Sequence, residues 1–228
     1  MKKMQYGLLS IAVGLASCAL LLAQPPAGGP GGGKGPGGPG GGKGGGKGGG
    51  GPVFSVSTSA WEDGAVIPLK HTFYGGPAQG TSGPSPAFDF HWTQGGNPAA
   101  APAALQSYAV VFHDAENSTA KTTVDTLHWS AFNIPGTAKG IPEGIPAGES
   151  PDGTRNGPGI RGGLMGAYFG PGAGAGPYHH YIFEFYALDA KLDITGAATR
   201  DELMKAMDGH VIGKAVYYAR FANNPGAK

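Results

Sequence analysis

Cysteine is nearly absent from this sequence, because Cys18 is the only one among its 228 residues. The chain beyond Cys18 therefore has no intramolecular disulfide and no site in which several thiolates hold zinc or an iron–sulfur cluster. A domain that follows Cys18 must depend on its hydrophobic core for stability, since no cross-link restrains the unfolded chain.

Clusters of basic residues are also missing. The segment from Pro52 to Lys228 contains 11 Lys and Arg residues and 15 Asp and Glu residues, so its formal net charge is −4. Proteins that bind nucleic acid carry a basic patch or stripe that neutralises phosphates. The sequence therefore argues against nucleic acid as a partner.

Long hydrophobic runs are confined to the N-terminus. An apolar run of 16 residues, Leu8 to Ala23, follows Lys2 and Lys3, and it is shorter than the ~20 residues of a membrane-spanning helix. Basic residues followed by a short apolar run are typical of an export signal, which we predict for residues 1–23. We therefore expect an exported protein, either periplasmic or secreted.

The same segment permits a second interpretation. The tetrapeptide Leu15-Ala16-Ser17-Cys18 resembles a bacterial lipoprotein box, in which Cys18 would carry lipid and tether the protein to a membrane. The apolar run continues past this cysteine to Leu22, which favours cleavage after Ala23 instead. The sequence leaves both open, so a membrane-anchored lipoprotein stays an alternative.

Residues 24–51 consist almost wholly of Gly, Pro and Lys. Such a composition supplies no side chains for a core, and we predict a disordered linker. The remaining chain, residues 52–228, shows no internal repeat and is predicted to be one domain.

This domain contains many short strand patterns separated by Gly and Pro. Strand-like segments are predicted at Phe54–Ser59, Phe88–Trp92, Leu105–Phe112, Leu127–Ile134, Tyr181–Leu188 and Val211–Phe221. One helix is indicated by the capping-box pattern Thr199-Arg200-Asp201-Glu202, and Gly209 can end it. We predict a mainly β domain of two packed antiparallel sheets with one or two peripheral helices.

Polar, ionisable residues stand where three of these strands begin or end. They are Asp114, Glu116, His128, His179 and Tyr181. Residues two apart on an extended chain point the same way, so Asp114 should face the same side as Glu116, and His179 the same side as Tyr181. If the strands are neighbours, these side chains meet in one pocket that can hold a small polar head group. Each acid taken alone could equally cap a turn.

Six short segments, in order along the chain, resemble the motifs of one family. They are Ser85-Pro86-Ala87, Asp114-Ala115-Glu116-Asn117-Ser118, His128 with Asn133-Ile134-Pro135, Arg155-Asn156-Gly157, Tyr168-Phe169-Gly170-Pro171 and His179-His180-Tyr181-Ile182-Phe183. In this order they are similar to the phosphatidylethanolamine-binding protein family, in its bacterial Raf-kinase-inhibitor-like branch. The resemblance runs from about Phe54 to Phe221.

The resemblance implies a small cleft that accepts phosphate-like groups, including phospholipid head groups. By position, the residues implied to line it are Asp114, Glu116, His128, Gly170, Pro171, His179 and Tyr181. Glu116 replaces the second Asp of the family signature and should narrow the cleft, and His180 replaces an Arg. The segment Gly172–Gly176 replaces a Pro-Pro pair, which should loosen the rim.

These residues leave several functions open. We expect a non-enzymatic module that binds a small anionic or zwitterionic ligand, with no cofactor and no catalytic residue, because Ser130 lies in no nucleophile-elbow motif. The alternative is a hydrolase that uses the acid and imidazole groups for acid–base chemistry. Metal binding by Asp114, His128 and His179 is a further possibility, although we expect no metal site.

Overall fold

The computed structural model describes residues 50–78, 81–117, 123–160 and 166–223. The predicted export signal, Cys18 and nearly all of the predicted linker lie outside these residues, so the boundaries at residues 23 and 51 stay predictions. Among the described residues, the helices are too short and too polar to cross a membrane.

Nine strands form in the described part of the chain. They are β1 (Val53–Ser57), β2 (Phe88–Gln94), β3 (Asn97–Pro98), β4 (Ser107–Asp114), β5 (Thr126–Pro135), β6 (Gly140–Ile141), β7 (Arg155–Asn156), β8 (His179–Leu188) and β9 (Val211–Phe221). Each of the six predicted strand segments corresponds to one of them, with ends shifted by a few residues at most.

The strands make two antiparallel sheets, as predicted. The first has the order β1-β2-β3, with β6 also paired to β2, and the second has the order β7-β5-β4-β8-β9. Aromatic rings fill the space between the sheets, since Phe88 lies 4.8 Å from Phe185 and Phe90 lies 4.4 Å from Tyr108, measured between ring centroids. Contact between rings at such distances adds to the free energy gained from burial alone.

Every residue of β4 is buried, because both faces of the second sheet are covered. Val110 and Phe112 face the core between the sheets, while Val111 faces a smaller cluster with Leu203 and Met207 of the helix α1 (Arg200–Met207). The predicted capping box is present, with Thr199 as the N-cap residue. A short 3-10 helix, Leu69–His71, is the other helix among the described residues.

Candidate functional site

The antiparallel order β5-β4-β8 brings the polar strand ends together. Asp114 is the last residue of β4, and it is registered against Thr126 at the start of β5 and against Tyr181 near the start of β8. Neighbouring antiparallel strands run in opposite directions, so the end of β4 must adjoin the beginnings of the other two. This is the convergence that the sequence predicted.

A cavity of about 690 Å³ opens at this edge of the sheet. It combines the polar strand ends with aromatic and small residues from three loops. Its lining consists of Phe73, Thr81, Ser82, Asp114, Asn117, His128, Ile160, Tyr168, Phe169, Gly172, Ala173, Gly174, His179 and Tyr181. A concave site with mostly apolar walls and a few convergent polar groups is typical of small-molecule binding.

Asp114 has two roles in this cavity. Its Oδ2 accepts a hydrogen bond from His179 Nδ1 at 2.8 Å, and its side chain is only 2% exposed. Its Oδ1 accepts hydrogen bonds from the backbone N–H groups of Glu116 and Asn117, which closes the turn after β4. The turn-capping role and the cavity-lining role, which the sequence left as alternatives, are therefore both present.

Tyr181 lies beside this carboxylate at the cavity wall. The backbone N–H of Ala173 donates to the Tyr181 hydroxyl at 3.2 Å. Burial, and then the charge and hydrogen bond of Asp114, raise the pKa of Tyr181 far above its usual value. The phenol is therefore protonated at every physiological pH and can donate to Asp114 or to a ligand.

His128 presents an unused nitrogen. Its Nδ1 donates to the backbone oxygen of Phe169 at 3.1 Å, whereas its Nε2 is buried and has no hydrogen-bond partner among the described residues. Burial lowers the pKa of His128, against the opposing effects of the Phe169 carbonyl and the Asp114 charge. The ring is therefore neutral at pH 7, and Nε2 holds a lone pair that can accept from a bound molecule.

Glu116 is not among the residues that line the cavity, and its expected narrowing of the cleft stays a prediction. Its two carboxylate oxygens accept from the backbone N–H of His180 at 2.7 Å and from His180 Nδ1 at 2.6 Å. The chain leaves the extended conformation after Asp114, so the rule that residues two apart share a face does not apply here.

Gly170 and Pro171 are also absent from the lining, contrary to the expectation from the sequence. A Cβ atom on Gly170 would lie 2.4 Å from the backbone oxygen of His71, and the Pro171 oxygen accepts from Phe73 N–H at 2.9 Å. Both residues hold their loop against the segment 71–73. They thereby support the wall on which Phe73 and Phe169 pack, with ring centroids 5.0 Å apart.

Most of the described sequence matches the model of one protein family. The model of the phosphatidylethanolamine-binding protein family matches residues 57–222. The chain belongs to the phosphatidylethanolamine-binding protein family. All residues that line the cavity fall within the matched region.

Curated relatives of this phosphatidylethanolamine-binding protein family member occur in archaea. A UPF0098 protein of Methanothermobacter thermautotrophicus is 43% identical over 89 residues, which are 39% of this chain and 57% of the relative. A UPF0098 protein of Pyrococcus horikoshii is 45% identical over 92 residues, which are 37% of this chain and 43% of the relative. The chain thus spans about half the length of the relatives that it matches.

Two solved structures share the fold. A phosphatidylethanolamine-binding protein homologue of Chlamydia trachomatis aligns with a TM-score of 0.57 at 23% identity, over 74% of this chain and 97% of that one. The E. coli protein YbcL, described as a member of the mammalian family, aligns with a TM-score of 0.52 at 20% identity, over 74% and 98%. The chain therefore shares its fold with these two proteins.

The buried histidines predict that the domain is less stable in mild acid. Burial lowers the pKa of both His71 and His128 in the native state. The unfolded chain binds protons at these rings near the ordinary value of about 6.5, so it binds more protons than the native state as the pH falls. The contribution that these neutral histidines make to the free energy of unfolding is therefore present above about pH 6.5. It is lost as the pH falls below that value.

Urea unfolding at pH 7.5 and pH 5.5 measures this loss. We expect a lower free energy of unfolding at pH 5.5, and a smaller pH dependence in His128→Gln than in the parent protein. Equal pH dependence in the two proteins would contradict the role of His128.

Proposed function

We propose that the domain binds a small ligand with a phosphate or phospholipid head group in the cavity, and that it does so without catalysis. The observation that carries this proposal is the buried Nε2 of His128, which has no hydrogen-bond partner in the described part of the chain and lies in the lining that also holds the Asp114–His179 pair. A buried polar atom without a partner costs free energy, and a ligand that donates to it removes that cost.

The charges of the lining favour a zwitterionic or weakly anionic ligand. The described lining residues include no Lys and no Arg, so none of them brings a permanent positive charge to the cavity. The aromatic rings of Phe73, Tyr168 and Phe169 offer faces that attract an ammonium group. The ammonium group of a zwitterionic head group can contact the rings and donate to Asp114 or to the Nε2 of His128, while its phosphate can accept from the Tyr181 hydroxyl.

We place this ligand in the cell envelope. The support is the N-terminal sequence alone, where an export signal or a lipidated Cys18 is predicted. In this proposal Asp114, His128, His179 and Tyr181 contact the ligand, while Glu116, Gly170 and Pro171 hold the surrounding backbone.

Titration calorimetry with inorganic phosphate and with phosphoethanolamine tests the proposal. We expect one site per chain and at least tenfold weaker binding in His128→Gln, because the amide cannot donate to the Phe169 oxygen and also place an acceptor where the ring Nε2 stands. The control is His210→Gln, since His210 pairs with Asp189 at the opposite end of β8 from the cavity. The control should bind as the parent protein does.

Two results would overturn this function. Equal affinity of the parent protein and His128→Gln would remove the cavity assignment. Turnover of a chromogenic phosphoester that is lost in His128→Gln would replace binding with hydrolysis, the alternative that the sequence left open.

A further inference from the structure

We propose that Asp114, Glu116 and His179 form a site for a divalent transition-metal ion at the edge of the cavity. Each side chain offers one ligand atom, and the three atoms lie within 4.8 Å of one another. This set differs from the one considered from the sequence, because Glu116 takes the place of His128. The proposal stands on these residues and does not depend on the ligand proposed for the cavity.

The backbone holds the three residues in place. The Ala115 N–H donates to the His180 oxygen at 3.0 Å, which continues the pairing of the two chain segments one residue beyond Asp114. The turn closed by Asp114 Oδ1 then places Glu116 opposite the start of β8. Ligands on paired strands and a closed turn need little reorganisation to bind an ion.

No Lys or Arg among the described residues pairs with the carboxylate of Asp114 or Glu116. Four other acidic residues form salt bridges with Lys or Arg, namely Glu143, Glu149, Asp125 and Glu184. Among the described residues, Asp114 and Glu116 form ion pairs only with His179 and His180. Two neighbouring carboxylates that are not balanced by a permanent cation repel each other, and a bound divalent ion removes that repulsion.

The hydrogen bonds already present are compatible with an ion. A carboxylate oxygen has two lone pairs, so the Glu116 oxygens that accept from His180 can still coordinate. His180 therefore acts as a positioning residue that fixes the orientation of the Glu116 carboxylate. An ion would take the place of the proton that His179 Nδ1 donates to Asp114.

The ligand set selects the class of ion. One imidazole nitrogen with two carboxylate oxygens suits Zn²⁺ and other first-row divalent ions, whereas Ca²⁺ and Mg²⁺ prefer oxygen ligands alone. Three protein ligands leave a coordination position open. Because Asp114 and His179 also line the cavity, an ion here would add positive charge to the cavity.

Calorimetric titration of the full, untagged chain with ZnCl₂ and CaCl₂ tests this site. All proteins carry Cys18→Ser, because a free thiolate is itself a zinc ligand. We expect one Zn²⁺ per chain, bound at least tenfold more tightly than Ca²⁺. Glu116→Gln and His179→Gln should each weaken Zn²⁺ binding at least thirtyfold, while His210→Gln should not change it.

The variants separate this proposal from the proposed function. Glu116 lies outside the cavity lining, so Glu116→Gln should lose Zn²⁺ binding and keep the phosphate affinity of the parent protein. Its side chain is 42% exposed, so the substitution should leave the melting temperature nearly unchanged. Equal Zn²⁺ affinity in Glu116→Gln and the parent, or Ca²⁺ binding as tight as Zn²⁺ binding, would overturn the site.

Discussion

Replacement of Asp114 with alanine should remove ligand binding and also lower the stability of the domain. The loss of stability is expected because Asp114 Oδ1 accepts from the N–H groups of Glu116 and Asn117. Loss of a buried acceptor leaves such donors unsatisfied, at a cost of about 1–3 kcal/mol.

Two further variants separate the binding role of Asp114 from its structural role. Asp114→Asn keeps one oxygen that can close the turn, so its free energy of unfolding should lie closer to that of the parent protein. His179→Ala removes the imidazole from a side chain that is 29% exposed, and its stability should change least of the three. All three should bind phosphoethanolamine roughly tenfold to hundredfold more weakly, as expected when a hydrogen bond to a charged group is lost.

Urea unfolding and calorimetric titration of the three variants measure these effects. If Asp114→Ala were as stable as Asp114→Asn, the turn would not depend on the carboxylate. If His179→Ala kept the parent affinity, the Asp114–His179 pair would not belong to the binding site.

The convergence of the site could be predicted because it depends on local patterns. His179 and Tyr181 alternate with outward-facing residues along a strand, and Asp114 ends an apolar run, so both features are visible without coordinates. The helix was equally predictable, since the capping box at Thr199 and Glu202 is a property of four consecutive residues. The sequence did not determine which strands pair, and the sheet order β5-β4-β8 makes the three strands neighbours.

Glu116 and Gly170 could not be placed correctly from sequence. The direction of Glu116 depends on where β4 ends, and that point is set by the turn that Asp114 closes. The reason for glycine at position 170 is the backbone of His71, which is almost one hundred residues earlier in the chain. Contacts between distant segments leave no periodic signal in the sequence. The sequence therefore places Glu116 and Gly170 in the cavity wall, whereas in the structure they contact the backbone of His180 and His71.

The burial of His113 is another feature that the sequence does not predict. The structure places this residue between the carboxylates of Asp125 and Glu184. Those two carboxylates also bind Arg200 at the start of α1 and Lys214 of β9. The alternating charges connect the helix to the sheet, so this histidine is structural, and its burial could not be read from its position at the end of an apolar run.

The largest loss of stability is expected from Phe183→Ala. The Phe183 ring stacks on Phe112 at 3.9 Å between ring centroids, and both side chains are completely buried. Phe112 in turn contacts the rings of Tyr168 and His128, which line the cavity. Removal of a buried phenylalanine ring leaves a void that rigid neighbours fill only partly, and it costs roughly 3–5 kcal/mol.

Urea unfolding of Phe183→Ala, with Val53→Ala as control, measures this loss. Val53 is 62% exposed at the start of β1, so its truncation should cost about 1 kcal/mol or less, as is usual away from the core. A loss below about 1.5 kcal/mol in Phe183→Ala would mean that the neighbouring rings close the void. In that event the side chains that line the cavity would have moved to fill the space. The ring stack would then not be a rigid support for the cavity.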